Sequence, residues 1–290
     1  HVEGEAQETM YDAGGLLATR DLGFVVLQGS TLGGGTVINY TTSFPTPPTV
    51  RHEWATKHGL PHFEQKEFNV ALHKVANRLG VNTDHAKPSG RDRALIRGLE
   101  QLGWHHGLLP RDVRGCTQDD ACGYCGFGCR RGAKQSTLVT YLQDAFDRGV
   151  RIVANCDVQR IAIDHGRATG VEAVAGRFAL TVRSKAVVVA AASIHSPALL
   201  LRSGVQLRAL GRNLALHPAT AVLGEMAEDV RPWTGTVQAH YSDQFADLDQ
   251  GYGFKLETAP IHPSLQALAA PWESAAGHRE RMAARVDVVV

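Results

Sequence analysis

Apolar and polar residues alternate along this chain with two different periods, and the period changes near residue 150. Upstream of that point apolar residues recur every three or four positions, which predicts amphipathic helices. The first predicted helix ends at Gly80, and the second lies between Ser89 and Gly103. A third begins near Ser136 and stops at Gly149. The side chains predicted to be buried are Phe68, Ala71, Leu72, Val75, Ala76 and Leu79, then Leu95, Leu99 and Leu102, then Leu138, Tyr141, Leu142, Ala145 and Phe146.

Downstream of residue 150 short apolar runs predict consecutive strands. The runs are 150–155, 158–163, 170–174, 178–182 and 186–190. Turn residues at 164–166 and 175–176 separate the middle runs, which predicts a short antiparallel meander. The last run is very apolar and leads through small residues into a predicted helix, whose start is marked by Ser196 and Pro197.

Other segments carry less regular patterns. Residues 24–27 form a short apolar run and are a strand candidate, whereas 40–61 are rich in proline and are predicted to be mostly irregular. Residues 105–132 are predicted to be a loop. The chain starts without Met and stops on an apolar run, 286–290, with no turn after it. These two ends predict a fragment truncated on both sides; the alternative is a mature domain with a C-terminal strand.

Composition narrows the class of protein. The chain has 290 residues, of which 43% are apolar and 20% charged, with a formal net charge of +1. This length suits one large domain or two modest ones, and the near-neutral charge gives no electrostatic case for nucleic acid binding. Because the sequence holds neither an apolar run of about 18 residues nor a signal-peptide pattern, it predicts no transmembrane helix and a cytoplasmic location, with membrane association left open.

Four of the five cysteines lie close together, at Cys116, Cys122, Cys125 and Cys129. Two thiolates in a Cys-x2-Cys spacing can reach one metal ion. The cluster lacks the usual ferredoxin spacing and the second Cys-x2-Cys pair of a zinc ribbon. Three interpretations therefore stay open: structural free thiols, which we favour, one or two disulfides, or a metal or iron–sulfur site. No residue is assigned as a metal ligand.

Two segments resemble the signature sequences of a known enzyme family. Residues 29–39 read Gly-Ser-Thr-Leu-Gly-Gly-Gly-Thr-Val-Ile-Asn, and residues 191–204 read Ala-Ala-Ser-Ile-His-Ser-Pro-Ala-Leu-Leu-Leu-Arg-Ser-Gly. In this order they resemble the first and second signatures of the glucose-methanol-choline (GMC) flavin oxidoreductases. The stretch 122–137 looks like the matching loop of the long-chain (fatty) alcohol oxidase branch, where it would form a lid or wall near the flavin. The resemblance covers about residues 24–220.

The resemblance implies an incomplete FAD-binding, Rossmann-like GMC fold of the α/β (α+β) class, with a β-meander. It implies a partial FAD-binding domain at 1–220, which includes a helical and Cys-rich insertion at 62–149. Residues 221–290 would begin a substrate-binding domain. The usual Gly-x-Gly-x-x-Gly pyrophosphate fingerprint is not found in this sequence. In the family it lies upstream of the first signature.

The resemblance also implies the cofactor, FAD, and the residues that contact it. Glycines would let the flat ring approach the backbone, an Asn amide would hold the turn or the flavin, and a strand residue would meet the adenine through its main chain. The implied contacts are Gly29, Gly33, Gly34, Thr36, Asn39, Val158, Ala191, Ala192, Gly211 and Asn213. The alternatives are an ordinary glycine-rich turn and a plain strand residue at Val158. Leu216 stands where the family typically has Asp, which puts one hydrogen bond in doubt.

The implied reaction is oxidation of an alcohol to an aldehyde or ketone by hydride transfer to flavin, with a small-molecule alcohol as substrate, long-chain alcohols favoured. The electron acceptor, oxygen or another, stays open. A related sterol or sugar-alcohol dehydrogenase is the alternative within the family. A thiolate metal or iron–sulfur module and a non-catalytic fragment are alternatives of other classes. The region beyond residue 220 is rich in aromatic residues. These residues suit an apolar substrate, although core packing explains their presence equally well.

No residue of this chain is assigned as catalytic. The family's base is a His near the C-terminus, and none of the 14 His residues lies in that context. We therefore expect no alcohol oxidation by the 290-residue chain alone. The resemblance implies a structural or cofactor-shell role for His195 and a place at the cofactor rim for His217. Arg131 and Lys134 are predicted to lie in a solvated basic turn, with a phosphate contact as the alternative.

Overall fold

The structure of the protein is a computed structural model. It describes residues 3–222, 224, 226–249, 251–263, 274–277 and 279–280. Two compact units divide the chain, a larger one at His1–Arg148 and Leu223–Val290 and a smaller one at Gly149–Val222. The predicted strand at 286–290 lies outside the described residues.

Helices and strands alternate irregularly along the chain. The helices are α1 (Glu3–Met10), α2 (Gly35–Ile38), α3 (Pro48–Lys57), α4 (Lys66–Leu79), α5 (Gly90–Leu102), α6 (Tyr141–Asp147) and α7 (Ala192–Arg202). The strands are β1 (Val81–Asn82), β2 (Gly107–Leu108), β3 (Arg111–Asp112), β4 (Cys156–Asp164), β5 (Arg167–Ala175), β6 (Phe178–Arg183), β7 (His240–Asp249) and β8 (Tyr252–Glu257).

The strands of the described ranges form antiparallel sheets. In the larger unit β1 pairs with β3, and β7 lies between β2 and β8. In the smaller unit β5 lies between β4 and β6, which is the predicted meander. Tyr241 on β7 lies opposite Gly107 on one side and Glu257 on the other. A Cβ at residue 107 would lie 3.3 Å from the Tyr241 ring, so a glycine leaves room for this aromatic side chain beside β2.

The two longest helices of the larger unit lie where their sequence patterns predicted, but none of the side chains predicted to be buried on α4 is buried, and Val75 is 44% exposed. Both α4 and α5 end at a glycine in the left-handed conformation, Gly80 with φ 62° and Gly103 with φ 67°. At its start α5 has a capping box, in which Ser89 and Asp92 each bond to the other's backbone N–H. Leu99 is buried as predicted, but Leu102 is 60% exposed because it lies in the last turn, beyond the packed face.

Two consecutive charged residues at the start of α5 tie the C-terminal part of the larger unit to this helix. Arg91 is completely buried, and its guanidinium donates hydrogen bonds to four backbone carbonyls, those of Pro232, Thr234, Thr236 and Val237. Asp92, also completely buried, accepts bonds from the Thr258 hydroxyl at 2.7 Å and from the Ala239 N–H at 3.3 Å. Five of these six bonds satisfy backbone groups that lie outside the strands.

Three further predictions for the larger unit were wrong. The proline-rich segment 40–61 contains helix α3, because Pro48 occupies a first-turn position where its missing N–H costs nothing. Residues 24–27 form no strand; a single bridge pairs Val25 with Ala18, so the run lacks a full partner strand. Helix α6 begins five residues later than predicted, and its Tyr141 and Phe146 are 41% and 63% exposed.

The smaller unit consists of the meander β4–β5–β6 and helix α7. Ile161 on β4, Ala173 on β5 and Leu199 on α7 are its buried apolar residues within the described ranges. The Ser203 hydroxyl, just after α7, accepts a hydrogen bond from the Ile161 N–H at 2.9 Å. Helix α7 therefore lies along the free edge of β4.

Three predictions for the smaller unit were also wrong. Residues 150–155 and 186–190 form no strands, and Val188 is 89% exposed, since no described strand pairs with either run. Helix α7 begins at Ala192, four residues before the predicted start, and contains Pro197 inside it. Proline removes one helical hydrogen bond, yet α7 continues past Pro197 to Arg202.

Mixed helices and antiparallel sheets confirm the predicted α/β (α+β) class. The smaller compact unit ends at Val222, close to the predicted domain boundary between 220 and 221. The compact units are not the same as the predicted cofactor-binding and substrate-binding domains. The larger unit combines residues from both predicted domains. The assignment of 1–220 to cofactor binding and of 221–290 to substrate binding stays a prediction.

Candidate functional site

The 33–39 turn of the larger unit contains four of the predicted cofactor contacts. Gly33 and Gly34 have φ values of +87° and +54°, and α2 begins immediately after them. The Thr36 hydroxyl donates a hydrogen bond to the Gly33 carbonyl at 2.6 Å. Val37 and Ile38 are buried, whereas Asn39 is exposed. The turn is thus anchored by its apolar side chains, and part of its backbone faces outward.

The glycines in and just before the turn differ in the space around their Cβ positions. A Cβ at Gly29 would lie 2.6 Å from the Gly34 carbonyl carbon, and one at Gly33 would lie 2.8 Å from Val37, so the protein's own packing requires both. A Cβ at Gly34 or Gly35 would meet no heavy atom of the described residues within 4 Å. Their backbone therefore presents an open surface that a flat ring can approach, as a flavin requires.

Thr41, just after the turn, has a strained backbone. Its φ of +73° is unusual for a β-branched residue, and its side chain is completely buried. The Asn39 side-chain oxygen accepts a bond from the Thr41 N–H at 3.2 Å, and the Arg111 guanidinium donates to the Thr41 hydroxyl at 2.9 Å. Such strain persists only where surrounding contacts hold it, and it clusters at ligand-binding sites.

The structure contradicts the prediction that Lys134 lies in a solvated basic turn. Lys134 is only 4% exposed, and its ammonium donates to the carbonyls of Val37 and Asn39 at 2.6 Å and of Cys125 at 3.0 Å. Arg131, by contrast, is exposed and pairs with Asp119 at 2.7 Å. The sequence shows the basic residues of the loop but not which of them turns inward.

Charged and polar groups gather beneath the turn. Burial lowers the pKa of Lys134 to about 8 and raises that of Asp112 to about 6, although each favours the charged form of the other. The Asp112 Oδ1 atom is buried and has no hydrogen-bond partner among the described residues. Burial also raises the pKa of the Cys125 thiol to about 11. Lys134 is the member of this group that contacts the turn directly.

The Cys-rich loop packs against the turn and α1. The Tyr11 hydroxyl donates to the Gly126 carbonyl at 2.6 Å, and Tyr11, Ile38 and Phe127 form a buried cluster. All five cysteines, each within the described ranges, are free thiols. Groups of three or more His, Cys, Asp or Glu able to hold a metal ion do not occur in the described part of the chain. The raised pKa of Cys125 disfavours a thiolate there.

His262 is buried against the Cys-rich loop, and the sequence analysis did not predict this. It is 1% exposed, its Nε2 lies 2.7 Å from the Gly123 carbonyl, and its ring lies 5.0 Å from those of Tyr124 and Phe127. Burial lowers its pKa. No local pattern marks a histidine between two prolines as buried, because its partners lie about 140 residues away.

In the smaller unit the predicted adenine contact, Val158, lies on the edge strand β4. Its carbonyl accepts a bond from the Arg202 guanidinium at 3.4 Å, and the neighbouring Gln159 carbonyl accepts one at 3.3 Å. The pairing of β4 with β5 is irregular between Val158 and Arg160. The main chain at Val158 is thus at a sheet edge, beside the C-terminal end of α7.

The other predicted contacts of the smaller unit lie at the start of α7 and in the loop after it. Ala191 and Ala192 are exposed, and Ala192 has φ +59°, which is strained for a residue with a Cβ. Gly211 has φ +70°, and a Cβ there would lie 3.3 Å from Leu201 on α7. Asn213 has φ +60°, which Asn tolerates better than most residues. Five of the ten predicted contacts lie in each unit.

Several histidines differ in their surroundings. His105 pairs with Asp243, and the His106 Nδ1 lies 2.7 Å from the Nε2 of the buried His240. Burial, followed by the neighbouring His106, lowers the pKa of His240. His195, predicted to be a structural or cofactor-shell residue, and His217, predicted at the cofactor rim, are both exposed.

Comparison with known proteins identifies the family. Residues 7–219 match the family model described as GMC oxidoreductase. This match covers most of the chain and includes all ten predicted contacts. The chain therefore belongs to the GMC oxidoreductase family, as its two signature segments predicted.

Several relatives whose names state an activity are similar to this chain. The long-chain-alcohol oxidase FAO4A of Arabidopsis thaliana is 34% identical over 298 residues, covering 97% of this chain and 40% of the relative. Long-chain-alcohol oxidase FAO4B of the same plant is 32% identical over 94% of this chain and 38% of its own length. The 2-methyl-1,2-propanediol dehydrogenase of Mycolicibacterium austroafricanum is 25% identical over 59% and 36%. The chain spans about 40% of the length of the curated relatives it matches.

One further finding concerns membranes. Among the helices that the structure describes, none is both long enough and apolar enough to cross a lipid bilayer.

Proposed function

We propose that this chain binds FAD and serves the oxidation of an alcohol CH–OH group to an aldehyde or ketone. Membership of the GMC family supports this proposal, and the open backbone of Gly34 and Gly35 is the observation that carries it. FAD held here would supply the acceptor for the hydride that leaves the alcohol carbon. The chain's own contribution is to bind and orient the cofactor.

In this proposal the 33–39 turn, Val158 and the Ala191–Ala192 pair contact different parts of the cofactor. The 33–39 turn offers backbone without side chains to the flat flavin ring, and Asn39 holds the turn by accepting from Thr41. Val158 offers its main chain at the edge of β4 to the adenine. The small side chains of Ala191 and Ala192 leave room for the dinucleotide. These two residues are at the N-terminus of α7, where the helix dipole has its positive end.

The cofactor proposal predicts a selective effect of filling the open space at Gly35. Gly35→Leu adds a side chain where no described atom lies within 4 Å, so the chain should fold normally but exclude the ring. We expect FAD affinity to fall by about tenfold or more, because the displaced ring cannot pack around a fixed branched side chain. The measurement is titration of the purified chain with FAD, followed by flavin fluorescence.

Gly98→Leu is the matched control, since Gly98 also lies in a helix with open space at its Cβ position. This variant should bind FAD as the unmodified chain does. Unchanged affinity in Gly35→Leu would remove the turn from the cofactor site, and absence of FAD binding by the unmodified chain would contradict the proposed function itself.

For the substrate we propose a long-chain alcohol. The names of two relatives, both long-chain-alcohol oxidases, support this choice over a short diol. An alcohol that binds beside the flavin should perturb the absorption of bound FAD without any turnover. We expect a difference spectrum when a long-chain primary alcohol is added to the FAD-loaded chain and none with a short polyol; the reverse result would contradict the substrate class.

A further inference from the structure

The segment 134–137, at the end of the Cys-rich loop, contacts both ends of the 33–39 turn. At one end the Lys134 ammonium bonds to the carbonyls of Val37 and Asn39. At the other end the Thr137 hydroxyl lies 3.1 Å from the Gly33 carbonyl oxygen and 2.9 Å from the Thr36 hydroxyl. The Thr137 N–H also donates to the Thr36 hydroxyl at 3.0 Å. We call Lys134 and Thr137 together the clamp.

The lysine contact demands a specific geometry. An ammonium group has three N–H donors, and the three carbonyls around Lys134 accept one each. A buried charge is costly unless its donors are satisfied, so all three carbonyls must keep their positions for Lys134 to remain buried. Two of them belong to the turn, so the lysine restricts the backbone at its C-terminal end.

We propose that Lys134 and Thr137 are positioning residues for the cofactor, which hold the 33–39 turn in the conformation that receives the flavin ring. This inference rests on the proposed function. Neither residue is assigned a contact with FAD or a part in the chemistry. Between them lies the open backbone of Gly34 and Gly35, which has no side chains of its own to keep its shape.

The lysine half of the clamp should depend on pH. Burial lowers the pKa of Lys134 to about 8, an effect that Arg111 increases and that Cys125, Asp112 and Cys129 oppose. A neutral amine has two donors and a lone pair, so above that pH one of the three carbonyls loses its bond. FAD affinity should therefore decline as the pH rises through about 8, and a variant without the amine should lack this step.

The experiment measures the FAD dissociation constant of the full chain from about pH 6 to about pH 10. We expect Lys134→Met to weaken binding by about tenfold to hundredfold, because hydrogen bonds from a charged donor are lost. Its affinity should show no step near pH 8. Arg130→Met removes a neighbouring exposed cation of the same loop and should behave like the unmodified chain. Thr137→Val should weaken binding, and Thr137→Ser, which keeps the hydroxyl, should restore it.

The visible circular dichroism of bound FAD gives a second readout, since a displaced turn changes the surroundings of the ring. Hydrogen exchange at 33–39 without FAD reports whether the variants loosen the turn while the remainder of the chain stays protected. Normal affinity and spectrum in Lys134→Met would overturn the inference and leave the proposed function intact. Failure of the unmodified chain to bind FAD would contradict both the inference and the proposed function. Equal losses of FAD affinity in Thr137→Val and Thr137→Ser would refute the role of the hydroxyl.

Discussion

At the scale of single residues, burial of charge is the main physical feature of the region beneath the 33–39 turn. Lys134 and Asp112 are both almost fully buried, and burial shifts the pKa of each toward its neutral form. Lys134 compensates with three carbonyl acceptors, whereas one oxygen of Asp112 has no partner among the described residues. The aspartate is therefore the less well satisfied of the two.

Asp112→Asn should change how stability depends on pH. The folded chain holds this proton up to a pKa of about 6, whereas an unfolded aspartate loses it near pH 4. Between these values the folded state binds more protons, so the free energy of unfolding falls as pH rises. Asp112→Asn removes that contribution, which is on the order of 3 kcal/mol.

Urea unfolding of both proteins at several values between about pH 4 and pH 7 checks this. Trp54, Trp104 and Trp233 lie in the larger unit, so tryptophan fluorescence reports its unfolding. Identical pH dependence in the two proteins would show that Asp112 is ionised normally. Above pH 6 the Asn variant should be the more stable one.

At the scale of elements, the helices α4 and α5 follow from local signals, whereas the position of the C-terminal strands depends on two side chains of α5. Arg91 and Asp92 connect α5 to residues 232–258, more than 130 positions away. Strand β7 then pairs with β2, which follows the same helix. Burial of these two adjacent charges is unfavourable, and hydrogen bonds to backbone groups outside the strands offset it.

Arg91→Met should therefore be severely destabilising. It removes four hydrogen-bonded contacts and leaves Asp92 buried without its neighbouring positive charge, so we expect a loss of about 3 to 5 kcal/mol. The measurement is again urea unfolding followed by tryptophan fluorescence. Arg93→Met, two positions along the same helix and exposed, is the control and should cost under about 1 kcal/mol. Equal losses in the two variants would contradict the anchoring role of Arg91.

At the scale of the whole molecule, the chain divides into two compact units, and each contains half of the predicted cofactor contacts. Among the described residues the larger unit has two antiparallel sheets and the smaller unit has one. The larger unit contains the 33–39 turn and the clamp, and the smaller unit contains the edge of β4 and the start of α7. The family match at 7–219 includes both halves. Cofactor binding is thus proposed for residues that are far apart in the sequence.

The amino-acid sequence by itself determined the family, the helices α4 and α5, and the three strands of the meander, because signature glycines, caps and turns are local features. It failed for 150–155 and 186–190, since an apolar run becomes a strand only when another strand pairs with it. Only the tertiary structure decided that Lys134 is buried beneath the turn and that Arg131 is exposed. Which way a loop side chain turns depends on the acceptors that distant segments bring to it, and no local pattern encodes them.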